Sequence, residues 1–182
     1  MRVRTDHQAG QYRAELFERL VFRLLTRIFW GGHIVRDFVV PKRSDSSSLV
    51  LDFLVQTADG RVIAVEAKAP YTELPSYGIN RRLRRLKTAY ERIPSVDRPS
   101  EVVLAVSTQL SAESGNEFRE CQDFFRLKGV ELRLWDSGTL SELVEKHLGV
   151  KIPVFTIEEM ERALRGKWVI RRKGFFFAFS MR

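Results

Sequence analysis

The chain has 182 residues and a formal net charge of +8, and of its 31 basic residues eight are Lys and 23 are Arg. At 44% hydrophobic and 11% aromatic it has about one domain's length and enough apolar mass for one core, which excludes long-range disorder. A single cysteine, Cys121, and three scattered histidines exclude a disulfide framework and a multi-cysteine zinc or iron–sulfur site, and no apolar run approaches the ~18 residues of a membrane span.

Residues 10 to 30 carry apolar side chains at helical spacing (Leu16, Leu20, Phe22, Leu24, Ile28), with Glu15, Arg19, Arg23 and Arg27 on another face. Gly31-Gly32 stops this helix, and Ile34 to Val40 reads as a strand ended by Pro41. Lys42 to Ser48 is a polar loop. Leu49–Gln56 and Arg61–Lys68 flank Asp59-Gly60, a strong hairpin signal because Gly tolerates positive φ. A very basic helix follows over residues 79 to 93. Glu101–Thr108 reads as a buried strand and residues 113 to 128 as a helix with Phe118, Cys121, Phe124, Phe125 and Leu127 toward the core. Val130–Trp135 is a strand and Leu140–Leu148 a short helix closed by Gly149. Alternation of strand and helix here predicts parallel pairing with right-handed crossovers. The core domain is expected over residues 1–150. Residues 151–182 form a basic, Phe-rich extension packed on the core or on a dimer partner, with a helix from Ile157 opened by Thr156 and a hairpin around Arg171-Arg172-Lys173-Gly174.

The chemistry gathers on the first hairpin. Glu66 and Lys68 are two residues apart in a strand and so share a face. Counting outward from Asp59-Gly60 sets Asp52 opposite the neighbourhood of Glu66. Both carboxylates lie inside apolar runs, Leu49–Val55 and Val62–Ala67. Burying two anions together is costly unless a cation compensates. A hard divalent ion with oxygen ligands does so, helped by Lys68, and such a site polarises a phosphodiester. Lys68 could orient the attacking water or stabilise developing negative charge. Glu66 and Lys68 as an ordinary surface pair is the plainer alternative.

Asp52, thirteen intervening residues, then Glu66-Ala67-Lys68, set on a meander between two helices, resembles the PD-(D/E)xK superfamily of nucleases. That superfamily includes restriction endonucleases and Holliday-junction resolvases. The resemblance covers about residues 10 to 135. It implies an α/β, restriction-endonuclease-like αβββαβ core with a mixed central sheet flanked by helices. It also implies Mg²⁺- or Mn²⁺-dependent cleavage, metal ligation by Asp52, Glu66 and the Ala67 carbonyl, and a catalytic Lys68. Phe17-Glu18 is similar to the Phe-Glu of Mrr-like members, which makes Glu18 the first choice for a further catalytic acid and Glu15 the second. Leu51 stands where the motif's Pro would be, and no Gln falls between Lys68 and Gln109.

The positive charge is concentrated next to this motif. Arg81, Arg82, Arg84, Arg85, Lys87 and Arg92 crowd one helix whose only acid is Glu91, while Leu83, Leu86 and Tyr90 are spaced for the core. Phosphate neutralisation is the natural use of such a face, since like charges repel without an anionic partner. Arg171, Arg172 and Lys173 form a second basic patch. The function expected is an Mg²⁺-dependent endonuclease acting on DNA in the cytoplasm, with no membrane contact. Two other readings fit the same residues: a catalytically inactive DNA-binding or assembly module of this fold, and an RNA-processing nuclease.

Overall fold

The computed structural model describes residues 6–41, 49–70, 76–165, 168–172 and 175–179, with side chains described over 8–41, 49–70 and 78–165. The chain runs α1 (Asp6–Ile28), β1 (His33–Val40), β2 (Leu49–Gln56), β3 (Val62–Lys68), α2 (Ser76–Arg92), β4 (Glu101–Val106), α3 (Ala112–Arg126), β5 (Glu131–Trp135), α4 (Ser137–Leu148), α5 (Ile157–Arg165), β6 (Trp168–Arg172) and β7 (Phe175–Phe179). This is a mixed α/β fold. Five strands form one sheet in the order β1-β2-β3-β4-β5, antiparallel across β1, β2 and β3 and parallel across β3, β4 and β5. The parallel half is buried on both sides, which is why β4 is apolar throughout its middle.

Alternation along β3 and β4 distributes the core. Ile63, Val65, Ala67, Val103 and Ala105 pack beneath α1, α4 and α5, with Leu16, Phe17, Leu20, Leu140, Phe155 and Met160. Ala64, Val102, Leu104 and Val106 pack under α2 and α3, with Ile79, Leu83, Leu86, Phe118 and Phe125. The first of these cores runs on past residue 150, through Ile152, Phe155, Met160 and Ala163. Helix α5 is tied to α1 by Tyr12 Oη donating to Glu161, and by Arg23 donating to the Ala163 and Leu164 carbonyls at 2.8 and 2.9 Å. Arg23 therefore caps the α5 C-terminus from the core side, where carbonyls lack helical partners. Helical periodicity puts Arg23 on an outward face, but it is 6% exposed. Leu127, expected inside, is 87% exposed because α3 ends at Arg126. Thr156 caps α5 as expected, its Oγ1 accepting from the Glu159 amide.

Strands β6 and β7 form a separate antiparallel pair with Arg171 opposite Phe176 and Arg172 opposite Phe175. Lys173 and the expected loop Lys42 to Ser48 lie outside the described residues. Among the described residues no helix is long and apolar enough to cross a membrane.

The hairpin turn differs from the one expected. The last ladder pair is Gln56–Val62, and Thr57 N–H donates to Arg61 O across a three-residue loop, Ala58 to Gly60. Gly60 closes it at φ +86°, a type I turn followed by a left-handed residue. The added residue shifts the register by one, so that Asp52 and Glu66 fall one step beyond the last ladder pair at the far end, Phe53–Val65. Nothing lies within 4 Å of a Cβ added at Gly60, so Gly60→Ala meets strain alone. It is expected to cost about 1–2 kcal/mol in a urea or thermal melt, with the site unaltered.

Candidate active site

The opening between β2 and β3 arises from two irregularities on one line across the sheet. Strands β1 and β2 pair on either side of Asp37 and Asp52, but these two residues are skipped in the ladder. Asp37 has φ +50°, a left-handed conformation that only a small share of non-glycine residues adopt. Here the side-chain alternation slips by one. Ile34, Phe53 and Val55 face the α1 core, whereas Phe38, Val40, Leu49 and Leu51 face the α2 core. The ladder between β2 and β3 ends at Phe53–Val65, and β3 continues against β4 alone.

Asp52 sits at that slip. Its Oδ2 accepts from the Ala67 amide at 2.7 Å, so its carboxylate takes the place of a strand partner. Ser100 and Ser107 amides donate to the Val62 and Lys68 carbonyls, so even-numbered β3 residues face β4 with their backbone groups. Odd-numbered residues, Ala67 among them, turn theirs toward β2 and hence toward the opening.

Glu66 is opposite and fully buried. Lys68 Nζ lies 3.8 Å from Asp52 Oδ2 and 3.8 Å from Glu66 Oε1, bridging the two acids. Arg82 reaches down from α2 and donates to Glu66 Oε1 at 3.3 Å. Glu66 Oε2 is buried and has no hydrogen-bond partner. Burial, and then the neighbouring Asp52 charge, push the Glu66 carboxyl above its ordinary range, against the pull of Lys68, Arg85 and Arg82. Two carboxylates, a carbonyl turned to the same opening and an orphaned buried oxygen suit a hard divalent cation, which takes oxygen ligands.

Glu18 approaches from α1 and is half-buried. Burial and then Asp52 raise its carboxyl, with Asp37 adding to the effect and Lys68 and Arg36 opposing it. It thus shares the field of Asp52 and Lys68. Yet among the described residues no three acid, His or Cys side chains stand close enough to hold a metal ion, so Glu18 does not complete a three-carboxylate group. Glu15, the second choice, is exposed and pairs with Arg19.

The basic helix splits its cations among different tasks. Arg81, Arg84, Arg85 and Arg92, with Asn80, Thr88 and Leu49, line an open groove of about 630 Å³ beside the site. Arg85 is anchored there by donating to Val50 O at 2.7 Å, and its buried Nε has no partner. Arg82 is spent on Glu66. Lys87 stands apart, its ammonium 4.8 Å from the centre of the Phe124 ring on α3.

Two participants, Arg13 and Asp37, are not marked by the sequence motif, and a third, Arg82, has a different partner from the one expected. Arg13, 6% exposed, donates to the Ala69 and Pro70 carbonyls and to Ser107 Oγ, holding the chain just after Lys68. Its apolar helical neighbours gave no sign of this. Asp37 carried a usable signal, since Asp is depleted inside strands. Arg82, expected among the phosphate contacts, is the counter-ion of Glu66.

No family model matches the chain, and no curated protein sequence matches it. Among solved structures it is similar to a chain in the McrB–McrC assembly of Thermococcus gammatolerans, at 19% identity and a TM-score of 0.43 over 83% of this chain and 32% of that one. It is also similar to an XisH family protein from Nostoc punctiforme (17%, TM-score 0.44, 69% of this chain and 94% of that one). A third is a repair endonuclease from Pyrococcus abyssi (17%, TM-score 0.34, 75% and 50%). The chain thus spans about a third of the first of these. At such scores the likenesses carry no weight for the site, which stands on its own residues.

Proposed function

We propose that the chain is a metal-dependent nuclease that hydrolyses phosphodiester bonds in DNA. The observation that carries this is the convergence of Asp52, Glu66 and Lys68 at the opening between β2 and β3, with Glu66 Oε2 buried and unpartnered. Asp52, Glu66 and the Ala67 carbonyl are the groups that would hold Mg²⁺ or Mn²⁺. When bound, such an ion supplies Lewis-acid charge to the phosphodiester oxygens. Lys68, 3.8 Å from both acids, would hold the attacking water and balance charge that builds on the phosphate. Glu18, with its raised carboxyl, is the group at hand to take a proton on the α1 side. The arginine groove seats the backbone, and contacts of this kind are sequence-independent.

The test is incubation of plasmid, linear and branched DNA, with RNA in parallel, in Mg²⁺ or Mn²⁺. Cleavage of DNA that EDTA stops supports the reading, and no cleavage of any substrate sinks it. Binding through the groove has its own measure. Arg81→Gln/Arg84→Gln is expected to weaken DNA binding across all sequences and to reduce the slope of log K against log salt by about 1–2. An unchanged slope would remove α2 from the interface.

A second reading is a DNA-binding module without catalysis. It is favoured by the absence of a three-acid cluster among the described residues and by Arg82 sitting on Glu66. Salt-dependent DNA binding with no Mn²⁺ uptake by calorimetry would select it.

A further inference from the structure

Resting on the metal-dependent reading above, we propose that Arg82 is an exchangeable counter-ion. It neutralises Glu66 while no divalent cation is held, and turns to a backbone phosphate in the groove when one is.

The charge balance of the site argues for this. Two carboxylates, Asp52 and Glu66, face two cations, Lys68 and Arg82, within 3.8 Å. With both acids ionised, these four groups balance. A divalent cation added with Arg82 still in place would leave an excess of two positive charges in a largely buried setting, which is unfavourable unless an anion arrives or a cation leaves. Lys68 is the poorer one to leave, because it bridges both acids. Among the described residues Arg82 pairs with Glu66 Oε1 and not with Asp52, and it is no more buried than Lys68, at 24% against 23% side-chain exposure.

The arginine also has somewhere to go. Its sequence neighbours Arg81, Arg84 and Arg85 line the groove, whereas Arg82 does not. A rotation of its long side chain exchanges a carboxylate for a phosphate oxygen, and guanidinium forks suit both. Cation uptake and DNA binding then strengthen each other. By linkage the coupling is reciprocal: whatever factor the cation adds to DNA affinity, DNA adds to cation affinity.

The experiment is Mn²⁺ titration by calorimetry of the full chain as wild type, Arg82→Gln and Arg82→Lys, with Arg126→Gln on the exposed face of α3 as control. DNA binding by a short duplex is measured alongside, in EDTA and in Ca²⁺, with the DNA checked intact. Arg82→Gln is expected to bind Mn²⁺ about tenfold tighter than wild type, a size usual for coupled sites. Arg82→Lys and the control should stay near wild type. In EDTA, Arg82→Gln should bind DNA as wild type does, because Arg82 is occupied there; in Ca²⁺ it should lose most of the gain that wild type shows. Equal or weaker Mn²⁺ binding by Arg82→Gln, or a DNA deficit already present in EDTA, overturns the exchange while leaving the metal site standing. No Mn²⁺ binding by any of the proteins overturns the metal-dependent reading itself and the exchange with it. Should Arg82→Gln not fold, Arg82→Ala decides on the same readings: tighter Mn²⁺ binding with a Ca²⁺-specific loss of DNA affinity supports the exchange, and equal or weaker Mn²⁺ binding or a loss already present in EDTA overturns it.

Discussion

Asp52→Asn and Glu66→Gln are each expected to lower Mg²⁺-dependent cleavage by about 10²–10³-fold or more, with the fold retained by circular dichroism. Each change removes a negative oxygen from an opening where Lys68 and Arg82 already lie within 3.8 Å. The amide variants keep the shape and part of the hydrogen bonding, so Asp52→Asn can still accept from Ala67 N–H. Initial rates of plasmid cleavage measure the effect. Equal rates for either variant and wild type would take that carboxylate out of the chemistry.

The same carboxylates set the pH behaviour. Glu66 must be ionised to hold a cation, and its carboxyl is raised above 4.5, first by burial and then by Asp52. At limiting Mg²⁺ the acid limb of kcat/KM is therefore expected above that value, and more Mg²⁺ should move it down as metal and proton compete. Stability runs in the opposite sense. A carboxyl with a raised folded-state value contributes stability that is complete below its unfolded value and is lost as pH rises through the folded one. The metal-free protein should accordingly lose stability relative to Glu66→Gln over that rise, and Mn²⁺ should restore it. Melts of the two proteins against pH, with and without Mn²⁺, check the sign.

Phe17→Ala is expected to cost about 3–5 kcal/mol, the usual loss for an aromatic removed from a closed core. Phe17 is fully buried and stacks edge-on with Phe155 at 5.9 Å between ring centres. Phe155 lies beyond residue 150, in the segment that carries α5 back onto α1. The loss is a large fraction of the ~5–15 kcal/mol that holds a domain together. Urea unfolding of the DNA-free protein would read it. A cost below about 1 kcal/mol would mean that this segment is not integral to the core. Glu18 is the next residue, so a surviving Phe17→Ala protein should also hold that acid less firmly.

Much of this molecule was present in its residues. Period-3.6 patterns located α1, α2, α3 and α5 to within a few residues, and the unbroken Val102–Val106 run announced a strand buried on both faces. These are local signals: helix faces, glycine stops and alternation act within a turn or two of chain. The spacing from Asp52 to Glu66 belongs with them, because a hairpin is short enough for counting to carry two carboxylates together. Counting failed at the turn by one residue, since Asp59-Gly60 suits both a two-residue loop and the three-residue loop that formed.

What the residues left open depends on partners distant in sequence. Leu51 and Phe53 both look like the inward side of β2, yet they enter different cores, because side-chain alternation inverts at the skipped pair Asp37 and Asp52, where Asp37 takes a left-handed backbone, while the strand register is kept. Arg23 reads as an outer helical charge, but α5 returns from 140 residues away to be capped by it. Arg82 is indistinguishable in sequence from Arg81 and Arg84. Only the rotation of α2 over the sheet gives it Glu66 and gives the others the groove. The composition and net charge of +8 determined a protein suited to a polyanion, because they sum over the chain. Which arginine meets the acid and which meets the phosphate was decided by tertiary packing, because a charge acts over a few ångströms of space and not along the chain.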